Sequence, residues 1–192
     1  MDGRTNCYGG GFVILVEGCD LTGKSTLVKA IARKFDIPRA FTGAPTEGRY
    51  EFDIARETLA QKKFRNDLVI DRAVLSNEVY FDLMHRGLRN TDAMFSRFLD
   101  FLYQTQSLVI FAQANDDTLI KRYHWRGDPH PEINVHSLPL ISAKYRKVMV
   151  RVMAAGVKSL TYQSDATLAA DWIERHSAEL SRALNPLRAG TL

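Results

Sequence analysis

Short apolar runs and amphipathic stretches alternate along this chain. Five segments read as strands, three of them buried apolar runs. Phe12 to Val16 (Phe-Val-Ile-Leu-Val) opens the series. Arg39 to Thr42, Asp67 to Asp71, Ser107 to Ala112 and Val157 to Tyr162 follow. Continuous apolar runs without a polar alternation suit parallel strands covered on both faces. Between them lie helix-period patterns. Thr26 to Phe35 carries Leu27, Val28, Ile31, Ala32 and Phe35 on one face, and Asp36-Ile37-Pro38 ends it, because proline disfavours helix in the residue before it. Tyr50 to Lys63 reads as an imperfect helix. Ser76 to Arg86 follows with Ser76 as its cap, and Asp92 to Gln104 has Met94, Phe95, Phe98, Leu99 and Leu102 at helical spacing. Asp116 to Arg126, Ser137 to Met153 and a closing Ala166 to Leu184 complete the set. Strand–helix alternation with no repeat or linker predicts one α/β domain over residues 1–192, three layers around a parallel sheet of about five strands. Residues 1–11 read as a flexible lead-in and 186–192 as a fraying tail.

The turn after the first strand changes the picture most. Gly18 to Ser25 reads Gly-Cys-Asp-Leu-Thr-Gly-Lys-Ser, the P-loop spacing of glycine, four residues, glycine, lysine and serine. A strand precedes it and a helix follows, as the motif requires. Glycines let successive N–H groups turn inward onto phosphate oxygens, and the helix adds its positive N-terminal end. Lys24 is placed to reach the β- and γ-phosphates, and Ser25 to hold Mg²⁺. ATP and Mg²⁺ are therefore the expected cofactors. The chain lacks the Asn-Lys-x-Asp pattern that reads guanine, which argues against a GTPase switch.

Composition narrows the reading further. The chain has 192 residues, a formal net charge of +4 and a pI of about 9.1. A triphosphate site accounts for part of the positive charge, and a polyanionic partner such as DNA is the other use of it. No apolar run approaches the ~20 residues of a membrane span, and no long apolar signal core opens the chain, so a cytoplasmic protein is expected, in the host cytoplasm if viral. Cys7 and Cys19 form neither a disulfide framework nor a metal spacing, and Cys19 reads as a small filler in the loop. His124, His130 and His136 have no metal spacing and read as structural or exposed.

With these residues in hand a family resemblance emerges. Val16 to Thr26 (Val-Glu-Gly-Cys-Asp-Leu-Thr-Gly-Lys-Ser-Thr) resembles the P-loop of thymidylate kinases. Asp71-Arg72 resembles that family's Asp-Arg pair after the third strand, and Arg122 to Arg126 with Gly127-Asp128 its mobile lid, here spanning about 116–136. Gln163-Ser164-Asp165-Ala166 resembles the loop that brackets adenine. The resemblance implies nucleotide contacts from Gly18, Cys19, Asp20, Leu21, Thr22, Gly23, Lys24, Ser25, Thr26, Asp165 and Ala166. It implies catalytic roles for Lys24, Asp20, Arg72, Arg122 and Arg126, with lid arginines supplying the charge that Leu21 does not. Asp20 would contact the acceptor sugar or serve as general base for a hydroxyl acceptor, and Glu47 is a second candidate base. Arg72 would steady the acceptor or transferred phosphoryl. Asp71 would orient Arg72 or the Mg²⁺ water. The resemblance also allows a homodimer.

Two departures bear on the acceptor. The family's Arg-Glu-Pro-Gly stretch is replaced by Gly43-Ala44-Pro45-Thr46-Glu47-Gly48, and the segment onward to Asp71 has room for one helix only. Short bacteriophage relatives of thymidylate kinases include enzymes that phosphorylate 5-hydroxymethyluracil in DNA. Three readings therefore stand: a kinase of free deoxypyrimidine nucleotides such as dTMP or of nucleosides; a DNA kinase, with Lys62, Lys63, Arg65 or the Lys144 to Arg151 helix tracking phosphates; and a nucleotide-dependent switch.

Overall fold

A computed structural model describes residues 12–41, 67–84, 92–126 and 133–184. Five strands, β1 (Val13–Glu17), β2 (Arg39–Phe41), β3 (Leu68–Asp71), β4 (Leu108–Gln113) and β5 (Ser159–Gln163), form one parallel sheet in the order β2-β3-β1-β4-β5. The three central strands carry the continuous apolar runs and are buried nearly throughout, whereas β2 and β5 at the edges are part-exposed. Helices cover both faces. On one side α1 (Lys24–Phe35), α6 (Ala169–Arg175) and α7 (Ser177–Leu184) pack Leu27, Val28, Ile31, Trp172, Ile173 and Leu180 against Ile14, Val16 and Ile110. On the other, α2 (Val74–Met84), α3 (Asp92–Gln104), α4 (Asp116–Arg126) and α5 (Ser137–Ala154) bring Val79, Phe95, Phe98, Leu119, Ile141 and Val148 against Leu15, Ile70 and Val109. The α/β architecture matches the expectation. Truncating a fully buried contact such as Leu27 to Ala costs about 2–5 kcal/mol.

Three local expectations change. The helix after β3 begins at Val74, two residues before Ser76. Ser76 is therefore not a cap but lies inside the first turn, where its hydroxyl donates to Glu17 Oε2 at 2.7 Å. The cap is supplied from another strand: Glu17 Oε1 accepts the Ala73 N–H at 2.7 Å. The first helix begins at Lys24 directly after left-handed Gly23, rather than at Thr26. It ends on left-handed Asp36, whose N–H bonds Ala32 O, just ahead of Pro38. The single closing helix expected over Ala166 to Leu184 is two helices. Ala166 and Thr167 lie in a turn, Leu168 is extended, and His176 at φ −104°, ψ 16° divides α6 from α7 with its ring 4.5 Å from that of Trp172. The expected lead-in, the loop 43–48 with Glu47, the helix over 50–63, Arg65, the break at 127–131 with His130, Cys7 and the tail lie outside the described residues.

Among the described residues, the turns that carry the candidate site leave the same edge of the sheet. The P-loop follows β1, Asp71-Arg72 ends β3, Gln113 ends β4, and Ser164 follows β5. In an open α/β sheet this carboxyl edge is where ligands bind.

Candidate active site

The loop after β1 is built from backbone conformations that few residues accept. Gly18 has φ 146°, and a Cβ there would lie 2.1 Å from Ala112 O, so only glycine fits. Leu21 (φ 64°) and Gly23 (φ 79°) are left-handed. Such alternation curls N–H groups into an anion-binding concavity at the start of α1. Lys24 is drawn inward: its Nζ donates to Cys19 O at 2.6 Å. Burial lowers its pKa to about 8, and the charge of Arg72 works in the same direction. Thr22 Oγ1 donates to the same carbonyl at 2.8 Å. Cys19 is buried, and burial pushes its thiol up to about 12, which fits a filler rather than a nucleophile.

Ser25 Oγ donates to Asp71 Oδ2 at 2.7 Å, joining the start of α1 to the end of β3. A hydroxyl and a carboxylate side by side are hard oxygen donors of the kind Mg²⁺ takes, together with water and phosphate. No cluster of three or more His, Cys, Asp or Glu able to hold a metal occurs among the described residues. Ser25 and Asp71 are thus the described residues that fit such an ion. Thr26 is exposed, and so are His124 and His136.

A second cluster lies beside the first. Asp20 accepts from Arg72 Nη2 at Oδ1 and from the Tyr80 hydroxyl at Oδ2. The Arg72 guanidinium carbon sits 5.1 Å from the Tyr80 ring centroid, within cation–π range. The Tyr145 ring packs edge-on to Tyr80, 6.2 Å between centroids, and its hydroxyl shares a 2.8 Å hydrogen bond with Ser76 Oγ. Burial pushes both phenols well up, so both remain neutral hydroxyls. Glu17 is fully buried beneath this cluster, and burial raises its carboxyl to about 7 against the pull of Ser76 and Ala73.

On the other flank Arg122 reaches from α4 to the back of the loop. Its Nη1 donates to Leu21 O and Ser164 Oγ, each at 2.8 Å, and its Nη2 to Ser164 O at 3.1 Å. Arg126, one turn on, is exposed at the last residue of α4. The expected pair of phosphate-facing arginines is thus divided: Arg122 joins the P-loop to the loop after β5. That loop is ordered by Asp165, which accepts the Asn115 N–H at 3.0 Å and Gln163 Nε2 at 2.7 Å. Its slight burial works to raise the carboxyl, but these hydrogen bonds outweigh it and hold the pKa below the usual carboxylate range. An open cleft of about 510 Å³ runs along Ser164, Asp165, Ala166, Thr167, Leu168, Asp171 and Arg175.

The structure therefore brings Asp20, Lys24, Ser25, Asp71 and Arg72 together and sets Arg122, Asp165 and Ala166 beside them. Sequence reasoning missed Glu17, Ser76, Tyr80 and Tyr145 as members. An acid ending an otherwise apolar strand run was the available signal for Glu17. Ser76, Tyr80 and Tyr145 are spaced like ordinary helix residues and carry no such signal.

No family model matches the sequence, and no curated protein does. Solved structures do match in fold. The YorR protein of Bacillus subtilis, in complex with phosphorylated GDP, superposes with a TM-score of 0.72 at 22% identity, covering 88% of this chain and 96% of that one. Deoxyadenosine kinase from M. mycoides with bound dATP gives 0.56 at 17% identity, over 88% of this chain and 99% of that one. A gluconokinase from Sinorhizobium meliloti 1021 gives 0.54 at 16% identity, over 96% and 99%. The sheet, the loop after β1 and these likenesses define the fold as that of the P-loop kinases.

Proposed function

We propose that this chain is an ATP- and Mg²⁺-dependent phosphotransferase that moves the γ-phosphoryl group to a deoxypyrimidine acceptor, a free nucleotide such as dTMP or the nucleoside. One observation carries the reading. A phosphate loop with Lys24 and the Ser25–Asp71 pair stands directly beside an Arg72–Asp20–Tyr80 cluster, across the β1–β3 boundary. A donor site and an acceptor site side by side are what transfer requires and hydrolysis alone does not. The fold neighbours support it, since one is a deoxyadenosine kinase and another is a gluconokinase.

The roles follow from charge and reach. Phosphoryl transfer needs positioning and charge neutralisation more than covalent help. The loop amides and Lys24 Nζ take the donor phosphates, with a phosphate oxygen replacing Cys19 O as the lysine's partner. Ser25, with Asp71 behind it, would hold a Mg²⁺ ion, which would supply positive charge against the phosphates. Arg72 steadies the group in transfer while Asp20 and Tyr80 fix its direction. The acceptor oxygen attacks the γ-phosphorus, and the bond to the β–γ bridging oxygen breaks to release ADP. A phosphate acceptor brings no proton to remove. A hydroxyl acceptor does, and Asp20 is then the nearest base, once Arg72 or Tyr80 frees one of its oxygens. Asp165 and Ala166 flank the adenine, and Arg126 closes from the lid.

The second reading is transfer to 5-hydroxymethyluracil in duplex DNA, motivated by the basic pI of about 9.1 and the shortened acceptor segment. The test is labelled-phosphate transfer from ATP with Mg²⁺ to a panel of nucleosides, nucleoside monophosphates, thymine duplex and hydroxymethyluracil duplex. Transfer to a deoxypyrimidine monophosphate or nucleoside is expected. Transfer to the modified duplex alone selects the second reading. ATP hydrolysis with no acceptor labelled overturns both in favour of a switch.

A further inference from the structure

Arg72 stands in a backbone conformation its side chain disfavours. Its φ is 68°, in the left-handed region where Cβ crowds the carbonyl. A non-glycine residue stays there only when its neighbours over-determine it. Two hydrogen bonds hold the chain at this point. The Arg72 N–H donates to Val16 O at 3.0 Å, a continuation of the sheet ladder that any residue at position 16 supplies. The Ala73 N–H donates to Glu17 Oε1 at 2.7 Å, and this bond needs the Glu17 side chain.

The same carboxyl is anchored from its other side. Glu17 Oε2 accepts the Ser76 hydroxyl at 2.7 Å, and Ser76 Oγ is also within 2.8 Å of Tyr145 OH. Glu17 has no exposed surface. A buried carboxyl is costly to keep and is readily replaced by an apolar side chain when it only fills space. This one spends both oxygens on the turn that aims Arg72 at Asp20 and across the face of Tyr80.

We propose that Glu17 is a positioning residue: it locks Arg72 in its left-handed turn and thereby couples the entrance of the phosphate loop to the acceptor-side arginine. Glu17 directly precedes Gly18, so a shift of the loop on nucleotide binding is carried to the Arg72 turn through one side chain. The proposal rests on the reading of Arg72 as the phosphoryl-steadying group. Glutamine preserves the shape and both contacts, because its carbonyl accepts from Ala73 and its amide donates to Ser76, a hydroxyl that can act as donor or acceptor. Alanine leaves the Ala73 N–H buried and unpaired.

The experiment compares Glu17→Ala and Glu17→Gln with the full-length wild type. It uses steady-state kinetics, nucleotide binding and the Arg72 Nε–Hε NMR signal, assigned with Arg72→Lys. In Glu17→Ala kcat falls on the order of 100-fold while KM for ATP stays within about threefold, the signature of lost transition-state positioning. The Arg72 signal moves to the position of a solvated arginine. Glu17→Gln restores the signal and brings kcat to within about threefold of wild type. An unmoved Arg72 signal in folded Glu17→Ala overturns the proposal. So does a loss of kcat and ATP affinity in equal proportion, which marks a general structural defect. Should Glu17→Ala fail to fold, Ser76→Ala removes only the outer anchor: a moved Arg72 signal with kcat lowered about fivefold supports the coupling, and no change in either refutes it. If the wild type transfers phosphate to no acceptor, the functional reading fails, and the arginine signal still decides the positioning role.

Discussion

The two halves of the proposed site are made differently. The donor half is a stretch of backbone. Gly18, Leu21 and Gly23 take conformations that turn the chain, and its charged side chains bond to carbonyls of that loop, Lys24 to Cys19 and Arg122 to Leu21. The proposed acceptor half is a net of side chains from β1, the P-loop, the β3–α2 turn, α2 and α5. Glu17, Asp20, Arg72, Ser76, Tyr80 and Tyr145 bond to one another across sequence separations of up to 69 residues. A backbone loop holds its shape through local covalent geometry and tolerates change in its neighbours. A side-chain net is cooperative, so one truncation leaves several buried polar groups unpaired. Substitutions in the first half should act on the donor and in the second on the transfer step.

The largest effect belongs to the charge that both halves need. Lys24→Ala is expected to abolish transfer, lowering kcat by at least about 10³-fold in a labelled-phosphate assay. Activity within tenfold of wild type would remove the loop from the reaction. Next comes Arg72→Ala, with kcat down on the order of 10²-fold and ATP affinity by calorimetry unchanged. Loss of ATP binding instead would move Arg72 to the donor half.

Stability gives the third comparison. The Glu17 carboxyl is about 7 in the folded chain against the ordinary 4.5. Between these values the unfolded chain gives up its proton while the folded chain keeps it. Stability from this group is therefore full below pH 4.5 and is lost as pH rises through 7, by about 3 kcal/mol in total. Glu17→Gln should remove that slope, read as the difference between wild-type and variant urea unfolding at pH 4.5 and 7.5. Equal slopes would mean that the buried net keeps Glu17 charged throughout. The smallest effect is expected of Arg122→Ala, which frees the P-loop from Ser164. KM for ATP should rise about tenfold with kcat held within threefold. A fall in kcat alone would return Arg122 to the lid and to the phosphates.

Much of the fold was legible in the sequence. Gly18, Gly23, Lys24 and Ser25 stand out in the sequence because a curled glycine loop is contiguous, and its spacing is its geometry. The central strands show as unbroken apolar runs because both faces of the sheet are covered. Ser76 misled because a serine before a helical pattern looks like a cap wherever it falls, while the acid that caps α2 lies 59 residues before it. The closing helix was read as continuous because nothing between Ala166 and Leu184 breaks a helix. The division falls at His176, whose ring lies against that of Trp172.

By itself the chain determined the parallel α/β order and the glycine loop after β1, since each of these depends on neighbours in sequence. Folding decided that Arg122 binds the back of the loop while Arg126 stays outside. It also decided that Asp20 faces Arg72 and Tyr80, and that a buried Glu17 holds the Arg72 turn. Those relations join strands and helices through side-chain contacts of long sequence separation, and no local spacing encodes which side chains will meet.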